Sequence, residues 1–127
     1  MSKLSPIQGE LQTQIMAALW RLDVGTVEQV RSALPPRYRG AYTTVQTVLN
    51  RLADRGMATR RKVGNAFEYA PSFTEDEYLS RTIADTLAGA SSDARRATLA
   101  RLIGHLDAGE LTELQALAKD IDRRRPS

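Results

Sequence analysis

Thr43, Thr44, Gln46, Thr47, Asn50 and Arg51 fall within nine consecutive residues of a 127-residue chain. Their hydroxyl, amide and guanidinium groups suit hydrogen bonding rather than bond making. Threonine hydroxyls bond to several bases and their methyls can meet a thymine methyl, while Gln and Asn can pair with adenine. Arg51 suits phosphate contact, which sets register and affinity but reads no sequence. Arg60, Arg61 and Lys62 follow within a few residues and suit the same role. Arg37 and Arg39, just upstream, are candidate backbone clamps.

The charge distribution supports this chemistry. Residues 1–71 carry ten Lys or Arg against five Asp or Glu, a net of +5, and residues 72–127 carry eight against ten, a net of −2. Between Arg37 and Lys62 there are seven basic residues and one acid, Asp54. A polyanion-facing N-terminal half is the functional expectation, and an ordinary solvated basic face is the bland one. Nothing invites an enzyme. The chain has no cysteine, which excludes disulfides, thiol catalysis and thiolate metal sites. His105 is the single histidine and falls near an apolar stripe. No Ser-His-acid set, phosphate-cradling glycine loop or helical metal-ligand pair is present. Asp76, Glu77 and Asp85 sit in a charged helix as surface residues. No metal and no cofactor is expected. No apolar run is long enough for a membrane span and the N-terminus has no hydrophobic signal core, so the expected location is cytoplasmic.

The elements that must position these groups follow from periodicity and caps. Leu11, Ile15, Ala18, Leu19 and Leu22 predict a first helix over 9–22, with Ser5-Pro6 as a possible earlier start and Asp23-Val24-Gly25 as its end. Thr26-Val27-Glu28-Gln29 has capping-box form and opens a short second helix, stopped by Pro35-Pro36. A third helix over 42–55 ends at Gly56. On its wheel Ala41, Val45, Val48, Leu49 and Leu52 share one face, and Thr43, Gln46, Thr47, Asn50 and Arg51 lie opposite, with Thr44 beside them. Thr43 with Gln46 also fits a capping box, so Thr43 can cap the helix, contact a base, or both. Segments 57–63 and 66–69 flank Gly64-Asn65 and read as a tight hairpin. Three helices then follow, opened at Ser72 or Thr74, at Ser91-Ser92-Asp93 and at Asp107-Ala-Gly-Glu110, with a frayed basic tail over 123–127.

The order is helix, helix, helix, hairpin, then three helices. The expected fold class is mainly α with a small β-hairpin. A winged helix-turn-helix domain over 1–72 places its third helix in a DNA major groove, and a helical dimerisation region spans 73–127. Tyr78, Ile83 and Leu87, then Leu99, Leu102, Ile103 and Leu106, then Leu111, Leu114, Leu117 and Ile121 form apolar stripes there. A thin appendage cannot cover such stripes by itself, so a homodimer is expected, with a compact monomer as the alternative.

At this point the residues resemble a known family. Ala41-Tyr42-Thr43-Thr44-Val45, followed by Thr47-Val48-Leu49 and Arg51-Leu52, is similar to the recognition-helix signature of the penicillinase repressor (BlaI/MecI) family. Leu11, Met16 and Leu19-Trp20, then Thr26-Val27 with Val30, then Gly56 and Tyr69-Ala70-Pro71 match its other landmarks, and residues 4–80 carry the likeness. The resemblance implies a homodimeric transcriptional repressor on a palindromic operator, of the kind tied to antibiotic resistance. It places base and backbone contacts on Thr43, Thr44, Gln46, Thr47 and Arg51. It also implies relief by proteolysis triggered by a membrane sensor; staphylococcal members are cut at an Asn-Phe bond, and the corresponding stretch over 99–105 has none. Copper-responsive relatives carry C-terminal cysteines, which this chain lacks. The alternative from another class is a winged-helix protein-interaction module whose outward face meets an acidic protein.

Overall fold

The computed structural model of the chain describes residue 7 and residues 9–126. Its elements are α1 (Gly9–Leu22), β1 (Gly25–Thr26), α2 (Val27–Ala33), α3 (Tyr42–Asp54), β2 (Ala58–Val63), β3 (Ala66–Pro71), α4 (Glu75–Ala88), α5 (Ser92–Gly104) and α6 (Ala108–Arg124), with a 3-10 turn at Pro36–Tyr38. The expected winged-helix order is present. The alternative start at Ser5-Pro6 lies outside the described residues. Two compact units form, one ending at Asp85 and the other beginning at Thr86. No helix among the described residues is long and apolar enough to cross a membrane.

Local signals explain most boundaries. Asp23 takes a left-handed conformation at φ 68° and ends α1, its N–H donating to the Leu19 carbonyl at 2.7 Å. Thr26 and Gln29 close the capping box in both directions, at 3.2 and 2.9 Å. Arg39 donates to the carbonyls of Ser32 and Leu34 at the end of α2, at 3.1 and 2.8 Å, satisfying acceptors that a helix end leaves open. At the end of α3, Gly56 adopts φ 77°, Gly56 N–H donates to Ala53 and Met57 N–H to Leu52. That is the paired bonding of a Schellman cap, and glycine meets its left-handed requirement without a Cβ penalty.

The sheet is larger than the sequence suggests. Besides the β2–β3 hairpin, the two-residue strand β1 pairs antiparallel with β3, Gly25 opposite Tyr69 and Thr26 opposite Glu68, giving the order β1-β3-β2. A Cβ on Gly25 would stand 3.1 Å from Leu22 Cδ1 and 3.3 Å from Val30 Cγ2, so a larger residue there would make both side chains give way. Gly64 alone takes positive φ in the hairpin loop, at 63°, the placement a II′ turn requires.

The core unites Ile15, Met16, Ala18 and Leu19 of α1, Val27, Val30 and Leu34, then Val45, Val48, Leu49 and Leu52 of α3, with Met57, Ala58 and Tyr69 from the hairpin. The predicted apolar face of α3 is therefore the buried one, except that Ala41 is exposed and precedes the helix. Tyr78 of α4 closes this core. Its ring lies 5.7 Å from Trp20 and 5.9 Å from Phe73, and its hydroxyl accepts the Ile7 N–H at 3.1 Å.

Caps also start the later helices. Thr74 and Glu77 bond reciprocally before α4, Ser91 caps α5, and Asp107 with Glu110 forms a full capping box for α6. The frayed tail expected over 123–127 is corrected in part. α6 runs through Arg124, and Arg123 and Arg124 pair with Asp120 one turn back, at 3.6 and 3.1 Å, contacts that favour the helical form of this turn.

Candidate nucleic-acid interface

α3 presents two unlike faces. Val45, Leu49 and Leu52 are wholly buried, while Thr43, Thr44, Thr47 and Arg51 are exposed and Gln46 and Asn50 half-buried. An exposed helix face selected for stability alone favours Ala, Glu and Lys, so the short polar side chains here need another cause. The Thr47 hydroxyl donates to the Thr43 carbonyl at 2.8 Å, one turn back. Its proton is thereby fixed along the helix, and its oxygen keeps accepting capacity.

Thr43 does not cap the helix. The N-cap is Ala41 with extended backbone, and it makes no side-chain cap bond. The helix begins before Thr43, so the Thr43–Gln46 spacing is not a box and Thr43 stands as a side chain of the first turn. Uncapped N–H groups and the positive dipole end at this terminus suit a phosphate oxygen.

The hairpin register sorts the three cations. Arg60 lies opposite Tyr69 and Lys62 opposite Phe67, so both share the sheet face on which Ala58 and Tyr69 are buried. Arg61 lies opposite Glu68 on the other face and pairs with it at 3.3 Å. The structure thus gathers Arg60 and Lys62 on the side facing α3 and sets Arg61 apart. Among the described residues no salt bridge engages Arg51 or Lys62. Of the upstream clamps, Arg39 is occupied by the carbonyls closing α2, and the Arg37 guanidinium lies 5.0 Å from the Tyr38 ring centre.

Wing and helix are joined by a bond network. Asn50 Oδ1 accepts from the Tyr69 hydroxyl at 2.6 Å and from Arg60 Nη1 at 2.9 Å, while the Arg60 guanidinium sits 5.3 Å from the Phe67 ring centre. Burial pushes the Tyr69 phenol above its ordinary value, against the opposing effect of the Arg60 charge. The hydroxyl therefore keeps its proton at neutral pH and donates it. Tyr69 and Phe67 were not among the site residues read from sequence. The hairpin register could have paired Tyr69 with Arg60, but the reach of Asn50 across 19 residues leaves no local signal.

The expected dimerisation residues divide. Tyr78 belongs to the intramolecular core, because its ring and hydroxyl are already engaged there. Ile83 is exposed, as is Leu79 one turn before it, which the sequence stripe omitted. Leu87, Leu106 and Leu111 are half-buried. Leu99, Leu102, Ile103, Leu114, Leu117 and Ile121 are all exposed, from 39% at Leu99 to 53% at Leu117.

The chain resembles known proteins in sequence and in fold. A family model described as penicillinase repressor matches residues 8–120. The transcriptional regulator BlaI of Mycobacterium tuberculosis (strain H37Rv) is 36% identical over 124 residues, 96% of this chain and 89% of that protein. Among solved structures, the DNA-binding domain of the repressor BlaI is similar at 27% identity and a TM-score of 0.51, covering 61% of this chain and 94% of that one.

Proposed function

Because the chain belongs to the penicillinase repressor family of DNA-binding transcriptional repressors, we propose that it represses as a homodimer on a palindromic operator. In this reading α3 enters the major groove and the β2–β3 hairpin is the wing. The observation that carries it is the division of α3. One face is wholly buried, and the other offers Thr43, Thr44, Gln46, Thr47 and Arg51 beside the basic face of the hairpin. The threonines and Gln46 supply base-edge donors, acceptors and methyls; Arg51, Arg60 and Lys62 supply charge for phosphates. Arg61, paired with Glu68, contributes less.

Dimerisation is supported by the exposed leucines and isoleucines of α5 and α6. Burying one such side chain stabilises by ~1.5–3 kcal/mol, so covering the stripes with a second copy supplies a large driving force. A two-fold partner also sets two copies of α3 on half-sites about one DNA turn, roughly 34 Å, apart. Relief of repression by sensor-triggered proteolysis in the C-terminal helices is part of the same proposal. Titration of the full chain against duplexes with one and two half-sites, in excess competitor DNA, tests it. Tight, salt-sensitive binding only to the two-half-site duplex is expected.

A further inference from the structure

The Asn50 side chain has the amide chemistry that pairs with adenine, accepting from N6 through Oδ1 while donating to N7 through Nδ2. Here that acceptor is taken. Oδ1 has two lone-pair sites, and the Tyr69 hydroxyl and the Arg60 guanidinium fill both, at 2.6 and 2.9 Å. The amide cannot turn over, because an arginine has no acceptor to receive Nδ2–H. Phe67 stands under the same guanidinium at 5.3 Å. Arg60 is therefore held from two sides, by an amide on α3 and a ring on β3, with its charge at the junction of helix and hairpin.

We propose that Asn50 is a positioning residue that locks the wing's Arg60 against the recognition helix and presents to DNA only the donor end of its amide. Two consequences follow. Arg60 meets its phosphate with its orientation set before binding, so less side-chain freedom is lost on association. The Nδ2 donor is matched to acceptors such as a phosphate oxygen, guanine O6 or thymine O4, and a bidentate adenine contact from Asn50 is closed off. Tyr69 sets the acceptor end of the amide from inside the core, coupling the hairpin's buried face to the contact surface.

The inference rests on the DNA-binding function proposed above, and the two fail separately. If the wild-type chain shows no salt-dependent duplex binding, both fall. With the wild type binding, Asn50→Ala, Arg60→Ala and the double variant are titrated against the operator at several salt concentrations, once circular dichroism shows native helix content. Both single changes are expected to weaken binding, Arg60→Ala with a salt slope lowered by about 0.9, the value of one lost phosphate contact, and Asn50→Ala with a smaller change of slope. The double variant is expected to lose less than the product of the two single losses, because only the part of the Asn50 loss that runs through Arg60 is already gone. Losses that multiply fully in the double variant, no loss in Asn50→Ala, or no loss in Arg60→Ala overturns the inference. Should Asn50→Ala not fold, Tyr69→Phe replaces it. Its loss of affinity is expected to be smaller in the Arg60→Ala background, and no loss at all, or an equal loss there, overturns the inference.

Discussion

The Thr47 hydroxyl donates to the Thr43 carbonyl across one turn of α3, at 2.8 Å. Such bonding to the preceding turn slightly destabilises a helix, so Thr47 sits there at a small cost. The bond also fixes what the residue offers outward, an oxygen that accepts and a methyl that packs. Thr47→Val preserves the shape and removes the acceptor. Discrimination at one or two base pairs is expected to fall by ~1–3 kcal/mol, with little change in melting temperature. Competition binding against singly substituted operators measures this, and an unaltered base preference contradicts it.

Arg51 and Arg61 separate charge from charge in context. Arg51→Ala is expected to weaken all sequences evenly and to lower the salt slope by about 0.9. Arg61→Ala is expected to change the slope much less, because Arg61 is paired with Glu68 on the far side of the hairpin. Fluorescence anisotropy over a range of salt compares the two variants. Equal slopes would place Arg61 in contact with DNA after all.

Leu117 is 53% exposed on α6, amid the apolar residues assigned to the partner chain. Leu117→Asp is expected to give a monomer at micromolar concentration in light scattering, with the melting of the winged-helix unit nearly unchanged. Affinity for a two-half-site duplex should fall at least tenfold, while binding to one half-site is retained. A dimer that survives the substitution shows that another surface pairs the chains.

Glu77 gives a pH prediction. The Thr74 backbone N–H and hydroxyl bond to its carboxyl and hold it below its ordinary value of 4.5. A depressed carboxyl stabilises the fold above its unfolded pKa, and that contribution is lost as pH falls through the folded pKa. Glu77→Gln is therefore expected to lower the melting temperature near neutral pH and to converge on the wild type in acid. Thermal melts from about pH 3 to 7 follow the difference, and a constant difference contradicts this cap.

Features with local causes were legible in the sequence. The Thr26–Gln29 and Asp107–Glu110 boxes, the Gly56 stop and the Gly64 turn each depend on residues a few positions apart, and each formed as expected. So did the burial of Val45, Val48, Leu49 and Leu52, which the helical period dictates. What escaped depends on distant partners. β1 is too short for a pattern of its own and exists because Gly25 and Thr26 meet Tyr69 and Glu68. Tyr78 fell on a stripe assigned to a partner chain, yet its ring meets Trp20, 58 positions away. Asn50 was placed correctly on the outward face of α3, but its acceptor had already been claimed by the hairpin. The Thr43–Gln46 spacing misled for a simpler reason: the helix had already begun.

Selection of a random duplex library by the full chain tests the central claim most directly. The expected result is an enriched inverted repeat with half-site centres about one helical turn, roughly 34 Å, apart or at a multiple of it, and affinity that falls linearly with salt on logarithmic axes. Enrichment of no common sequence, or of a single unrepeated half-site, would contradict a dimer reading DNA through α3.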